Sequence, residues 1–285
     1  MTYIIHGATG AQGGPVLRRL TQAGRRGVAG SRHGGNRGGI AYVHLDNASV
    51  DSLAAAYRGA DGVFVHLPQT VEENRVNFAR NIAKAVEIAK PGRVVISTSG
   101  LIVDEPDSPL HAPANSAISL LIDGVQQTGV STAVIAPRLY LENLLLPMVL
   151  GPVQAEGMLR YPLRADFPVS WSSHLDVAEV AERLLTDSLI TGVVGVGQLP
   201  GLSGADLAEG FTRHLGREVV FESIQPEDFG KLVQPILGPA TGAVIGLYQA
   251  LSTVPANTII PISSAQQRLG ITPCTVPQWL RKILG

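Results

Sequence analysis

A glycine-punctuated turn between an apolar run and an amphipathic segment constrains this chain more than any other feature. Tyr3-Ile4-Ile5-His6 leads into Gly7-Ala8-Thr9-Gly10-Ala11-Gln12-Gly13-Gly14, and Val16, Leu17, Leu20 and Ala23 follow at helical spacing. The pattern predicts strand, tight turn and helix. Gly7 and Gly10 allow a positive φ or a close approach that a side chain would block, and Gly13 lets the helix lie against the strand. The N–H groups of such a turn point outward at a helix N-terminus carrying roughly half a positive charge, so a pyrophosphate is the ligand they suit. Pro15 fits the first helical turn, where its missing N–H has no intrahelical partner. A G-x-x-G-x-x-G spacing arises by chance in a chain with 32 glycines. Its position behind a strand and at the head of a helix is what makes it a dinucleotide motif.

The next elements extend this opening. Arg25–Arg32 predicts a second strand, and Ser31-Arg32 falls about 20 residues past the motif, where an acidic residue binds the ribose 2′-hydroxyl of NAD and an arginine accommodates the 2′-phosphate of NADP. No Asp or Glu occurs between Gly7 and His44, which favours NADP(H). The alternative for Arg32 is a solvated charge at the edge of the glycine-rich loop His33–Gly39. Ile40–Leu45 predicts a third strand, with Asp46 and Asn47 at its carboxyl end as contacts for the adenine side of the cofactor, or as a turn or helix cap. A helix is expected over Val50–Tyr57. Gly62–Val65 predicts the fourth strand, and its exit His66-Leu67-Pro68 is placed beside the ribose or nicotinamide, with His66 packing on cofactor rather than donating a proton. Thr70 and Glu73 have capping-box spacing ahead of a helix that Pro91-Gly92 ends. Arg93–Ile96 predicts the fifth strand, and the hydroxyls of Ser97, Thr98 and Ser99 are expected to face nicotinamide or substrate. Strands alternating with helices in this way predict an α/β fold, a Rossmann-type doubly wound parallel sheet.

Composition narrows the function classes. The chain has 285 residues, 45% of them hydrophobic, enough for a sizeable core. A net charge of −1 with 16% charged residues gives no footprint for nucleic acid. The single Cys274 permits no intramolecular disulfide and suggests no metal centre; a bystander thiol is expected rather than a nucleophile. The N-terminus enters the first strand directly, without a secretory pattern, so the expected compartment is the cytoplasm. Leu232–Gln267 carries no charge, but Gln234, Pro235, Gly238, Pro239, Gly242, Gly246 and Gln249 interrupt it, leaving no membrane span of about 20 apolar residues. It is read as a buried or lid helix.

The glycine turn, the Asp46 position, Ser97-Thr98-Ser99 and Ala136-Pro137-Arg138-Leu139-Tyr140-Leu141-Glu142-Asn143 together resemble the NmrA-like family of atypical short-chain dehydrogenases/reductases. The likeness continues through Asp176-Val177-Ala178 and Gly204–Ala208 and is clearest in the first 150 residues. It implies an NAD(P)-binding Rossmann domain over 1–150, completed by parts of 171–218, and a smaller substrate lobe over 151–285. It implies NADP(H) as cofactor, held by Gly7, Thr9, Gly10, Ala11, Gln12, Gly13, Ser31, Arg32, Asp46, Asn47, His66, Leu67, Pro68, Ser97, Thr98 and Pro137. The family includes NADPH-dependent quinone and dye reductases, reductases of plant phenolics, and regulators that bind the dinucleotide without turning it over, so fold alone does not decide activity.

Departures from the family pattern bear on the chemistry. None of Tyr3, Tyr42, Tyr57, Tyr140, Tyr161 and Tyr248 has a lysine four residues later, so the Tyr-x-x-x-Lys proton donor of short-chain dehydrogenases is missing. The lysine that many relatives keep ahead of the next helix is also missing from Asn115-Ser116-Ala117-Ile118, and the Arg-Pro pair after the sixth strand reads Ala136-Pro137. Hydride transfer to a simple ketone needs an acid for the developing alkoxide. A planar conjugated acceptor such as a quinone spreads that charge and needs mainly proximity in a dry pocket. His111 is the remaining proton-donor candidate, with an exposed loop histidine as the alternative. Tyr140, Leu141, Asn143, Phe167 and Trp171, with the 232–267 segment, are expected to form the substrate pocket, although Tyr140 and Trp171 also suit a core. Asp176 is expected to have a structural place at a helix N-terminus. The rival class is a non-catalytic redox sensor acting through a protein partner, with the uncharged segment as its surface. The oligomeric state is left open, a homodimer included.

Overall fold

The N-terminal run forms β1 (Thr2–Ile5), and the glycine turn delivers the chain into α1 (Gly13–Gln22). The computed structural model describes residues 1–33, 35–37 and 39–285; of the expected loop His33–Gly39, Gly34 and Gly38 lie outside the described residues. Then come β2 (Arg26–Ser31), β3 (Gly35–Arg37), β4 (Ile40–His44), α2 (Val50–Tyr57), β5 (Gly62–Val65), α3 (Glu72–Ala89), β6 (Val94–Ser97), α4 (Ala117–Gln127) and β7 (Thr132–Pro137). The loop expectation therefore needs correction at 35–37, where the backbone pairs antiparallel with β4. Helix α2 has the predicted bounds, and Ser49 caps it by accepting from the Ser52 N–H. The capping box expected at Thr70 does not form. Val71 is the N-cap of α3 without a side-chain bond, and the Thr70 hydroxyl instead accepts from Asn74.

Beyond β7 the chain alternates between two units, α5 (Pro147–Glu156) and β8 (Met158–Tyr161) belonging to the second, α6 (His174–Thr186) and β9 (Gly192–Val196) to the first. α7 (Gly204–Leu215), β10 (Val220–Ser223), α8 (Pro226–Leu237) and α9 (Thr241–Ser252) lie in the second unit, α10 (Ala265–Leu269) in the first and α11 (Val276–Leu284) in the second. The first unit comprises Met1–Pro137, His174–Val196 and Ile260–Ile271. Its boundary thus falls at Pro137, where β7 ends, rather than near 150, and the return of 260–271 has no local signal in the sequence.

The first unit holds one sheet of order β3-β4-β2-β1-β5-β6-β7-β9. All neighbours are parallel except the β3–β4 edge. Side chains alternate across each strand, so Ile4, Val63, Val65, Val94 and Ile96 face a core closed by Leu53 and Tyr57 of α2, Ile82 and Val86 of α3 and Leu121 and Val125 of α4. The other face of the sheet meets α1 and α6. Buried Arg93 at the foot of β6 donates to Ser131 Oγ at 2.6 Å, to the Ser188 carbonyl at 3.1 Å and to the Ile190 carbonyl. The chain order reverses at β1, with β2 on one side and β5 on the other, so the turn after β1 occupies the crevice where open α/β sheets bind ligands.

The second unit contains the short parallel ladder β8–β10 and an aromatic core. The ring of Tyr161 lies 5.6 Å from Trp171, 5.4 Å from Phe229 and 5.5 Å from Tyr248. The 232–267 segment is not a single buried helix. α9 buries only Thr241, Tyr248 and Leu251, while Leu232, Ile236 and Leu247 are exposed. No helix among the described residues is long and apolar enough to cross a membrane.

Candidate functional site

The glycine turn shows which of its glycines the protein itself requires. Gly7 has φ +56°, and a Cβ there would stand 2.3 Å from His66 Nε2. At Gly13 a Cβ would meet the carbonyl oxygens of His6 and Gly7 at 2.3 and 2.4 Å, so the start of α1 lies directly on the exit of β1. Gly10 differs. Its φ is not positive, and its nearest neighbour would be the Gly7 carbonyl at 3.3 Å. A methyl at Gly10 would press lightly on that carbonyl, a far smaller conflict than at Gly7 or Gly13.

Thr9, Gly10 and Ala11 are exposed. The Gly10 amide closes the turn onto the Gly7 carbonyl at 2.8 Å, and among the described residues the amides of Ala11, Gln12 and Gly13 donate to no backbone carbonyl. No acidic residue sits in the first turn of α1. Unspent amides at an uncompensated helix N-terminus fit a pyrophosphate.

Two side chains expected to touch cofactor make contacts within the protein. The His66 ring lies against Gly7, with Nε2 buried and unpartnered among the described residues. The Gln12 amide is engaged with the end of β6. Its Oε1 accepts from Ser97 Oγ at 2.9 Å and its Nε2 donates to Ser99 Oγ at 3.0 Å. The Ser97 hydroxyl therefore gives its proton to Gln12, which corrects the expectation that it faces nicotinamide or substrate, while Ser99 Oγ accepts from Gln12 and keeps its own O–H. Thr98 is buried, with Oγ1 unpartnered among the described residues.

His6 is buried, and His66 and His174 are half-buried. His6 Nε2 is 2.6 Å from Tyr57 Oη. Burial drives its pKa down to about 3, with a smaller contribution from His66. Burial also lowers His66 and takes His174 to about 4, again with His66 contributing. All three are neutral near pH 7, and Tyr57, pushed well above its ordinary range by burial, stays protonated.

At the adenine side, Asp46 Oδ1 accepts from the Ala48 N–H at 2.9 Å and its backbone N–H donates to Ser52 Oγ at 3.0 Å. It is a turn-forming residue with one carboxylate oxygen to spare. Asn47 gives its carbonyl to Asn81 at 3.0 Å and has a buried Oδ1 unpartnered among the described residues. Ser31 ends β2 and accepts from the His33 N–H at 3.1 Å; Arg32 follows, exposed. Leu67 and Pro137 are buried at the ends of β5 and β7, and Pro68 is half-buried. His111 is half-buried in the loop after β6, in a bridge to Ile102, with Nδ1 unpartnered among the described residues.

The residues assigned to substrate belong to the second unit. Tyr140 and Asn143 are partly exposed, and the Asn143 side chain hydrogen-bonds the Tyr161 hydroxyl, which also pairs with that of Tyr248. Trp171 and Phe167 are buried, Trp171 completely. A fully buried indole cannot touch a substrate, so Trp171 is corrected to core. Burial pushes Tyr161 up to about 12 and raises Tyr248, so both phenols are protonated at neutral pH and their hydroxyls face each other in the core. No group of metal-ligating side chains is found among the described residues.

A chain reversal at β1, a glycine turn at that point and a helix starting on its last glycine define a Rossmann-type dinucleotide-binding protein. The chain belongs to the NmrA-like family, whose model matches residues 2–263. It is similar to a triphenylmethane reductase from Citrobacter sp., solved in complex with NADP(H), at 17% identity and TM-score 0.79 over 99% of this chain and 100% of that one. An NADPH-dependent quinone oxidoreductase from Escherichia coli, solved with NADPH, matches at 17% identity and TM-score 0.74 over the full length of both. A curated relative, the prestalk A differentiation protein A of Dictyostelium discoideum, is 27% identical over 109 residues; the match spans 38% of this chain and 35% of that protein.

Proposed function

We propose that this chain is an NADPH-dependent reductase that delivers hydride to a planar conjugated acceptor such as a quinone. The observation that supports the cofactor half is the turn itself, exposed at Thr9, Gly10 and Ala11, with amides at Ala11, Gln12 and Gly13 that donate to no backbone carbonyl among the described residues. Thr9 and these amides hold the pyrophosphate, Ser31 and Arg32 the 2′-phosphate, Asp46 and Asn47 the adenine side, and Leu67, Pro68 and Pro137 wall the ribose and nicotinamide. NADPH supplies the hydride when bound. The acceptor class follows from what the chain lacks and from where its hydroxyls point. No tyrosine has the lysine partner, Ser97 and Ser99 are engaged with Gln12, and Tyr161 and Tyr248 are in a core. Such a site suits an acceptor whose π-system takes the electron pair and whose proton comes from water or His111.

The test is loss of reduced-nicotinamide absorbance with a panel of quinones, cationic dyes and simple ketones, with NADPH and NADH binding measured in parallel. Turnover of conjugated acceptors without ketones is the expected result. The second reading is a non-catalytic NADP(H) sensor that acts through a protein partner, favoured by exposed Leu232, Ile236 and Leu247 on α8 and α9. Tight NADPH binding with no turnover of any acceptor would select it.

A further inference from the structure

Gln12 sits in the pyrophosphate turn, yet its side chain faces away from the place where a pyrophosphate fits. It reaches across the exit of β5, the strand between β1 and β6, and grips β6 through two serines. Ser97 Oγ donates to Gln12 Oε1 and Gln12 Nε2 donates to Ser99 Oγ, at 2.9 and 3.0 Å, while the Ser99 N–H donates to Ser97 Oγ at 3.3 Å. The backbone it holds is unusual. Ser99 has φ +56° and Gly100 φ +97°, and a residue with a Cβ stays in the left-handed region only where its surroundings enforce it.

We propose that Gln12 is a positioning residue for hydride transfer, a latch that fixes the Ser99-Gly100 bend at the end of β6 relative to the pyrophosphate turn. The inference rests on the reductase reading. β6 runs parallel to β5 and β1, so its bend lies at the same carboxyl edge of the sheet as the turn after β1, and on the reductase reading the cofactor's phosphates lie at the turn and its nicotinamide end toward the bend. A single bidentate amide between them fixes the spacing of the two ends. Its loss leaves the phosphate-binding amides in place and loosens the reaction end, where a misplacement of about 1 Å lowers rate steeply. Cofactor affinity and turnover are therefore affected unequally.

The experiment compares wild type, Gln12→Ala, Ser97→Ala/Ser99→Ala and the triple variant by three measurements. These are amide hydrogen exchange over residues 98–101 without cofactor, the Kd for NADPH, and kcat with a quinone. The latch predicts faster exchange in Gln12→Ala, a Kd within about threefold of wild type and a kcat at least about tenfold lower, corresponding to the effect of misplaced reactants. It also predicts that adding Gln12→Ala to the serine variant changes nothing further, because residues acting as one unit are not additive. Gln12→Glu, whose two oxygens accept from both serine hydroxyls, restores slow exchange. Unchanged exchange in Gln12→Ala overturns the latch. So does a tenfold weaker Kd for the triple variant than for the serine variant, which would put the amide on the pyrophosphate. A wild-type protein that turns over no acceptor removes the reductase reading, and the exchange comparison still decides whether Gln12 holds the bend.

Discussion

Adding one methyl group at Gly13 or at Gly10 should have opposite consequences. At Gly13 the new Cβ would stand 2.3 and 2.4 Å from the carbonyl oxygens of His6 and Gly7, about 1 Å inside ordinary contact. Both are backbone atoms at the end of β1, so relief requires α1 to move. A gap of 0.5–1 Å forfeits roughly a quarter to a half of a packing contact. Val16, Leu17 and Leu20 are buried under α1, each contributing about 1.5–3 kcal/mol. Withdrawing the helix then costs about 2–3 kcal/mol, against a gain of at most ~1 kcal/mol from replacing a helical glycine by alanine. Gly13→Ala is expected to lose about 1–2 kcal/mol of stability. At Gly10 the nearest atom would be 3.3 Å away, and stability should change by less than about 0.5 kcal/mol. The methyl would occupy the outer side of the turn, so NADPH affinity should fall at least about tenfold, or 1.4 kcal/mol. Urea unfolding and NADPH titration of both variants check this. Gly10→Ala binding NADPH as tightly as wild type would remove the pyrophosphate from the turn, and Gly13→Ala unfolding at the wild-type midpoint would refute the packing account.

Three further outcomes are expected. Arg32→Asp should weaken NADPH far more than NADH in paired titrations; equal loss for both cofactors would show that Arg32 does not meet the 2′-phosphate. For His6, the folded pKa of about 3 lies below the unfolded 6.5, so the unfolded chain takes up the proton first. The associated stability is complete above pH 6.5 and is lost as pH falls from there toward 3, by about 2 kcal/mol at pH 5. Lowered His66 and His174 act in the same direction. Urea midpoints at pH 7.5 and pH 5 should differ accordingly, and the difference should shrink in His6→Gln; equal midpoints in wild type would contradict burial of neutral histidine. Trp171→Phe should cost about 1–3 kcal/mol of stability, below the range for truncation to alanine, while KM for a quinone changes less than twofold. A large KM change with unaltered stability would return Trp171 to the substrate site.

Where a local pattern carries the whole reason for an element, the sequence was sufficient. β1, the glycine turn and α1 follow from one apolar run, glycines at fixed spacing and one helical stripe, and α2 follows from the helical spacing of Leu53 and Tyr57, while its Ser49 cap is seen only in the structure. The spacing of Gly13 behind the strand is enough to imply its helix-on-strand contact. The failures lie where two distant segments compete for one group. Thr70 and Glu73 have the spacing of a capping box, but spacing does not reveal that the helix starts after Val71. Ser97 and Ser99 sit at a strand end where hydroxyls commonly meet ligand, yet Gln12, 85 residues earlier than Ser97, claims both.

The sequence by itself determined the class of the protein, because a parallel sheet, its crossover helices and a phosphate-binding turn are each written in short-range periodicity and glycine spacing. Only the tertiary structure decided which residues are free to act. It joined Gln12 to Ser97 and Ser99, set the His66 ring against Gly7 and folded Trp171 into an aromatic core. Those assignments depend on which side chains reach each other across the sheet or within the second unit, and no local pattern encodes that distance.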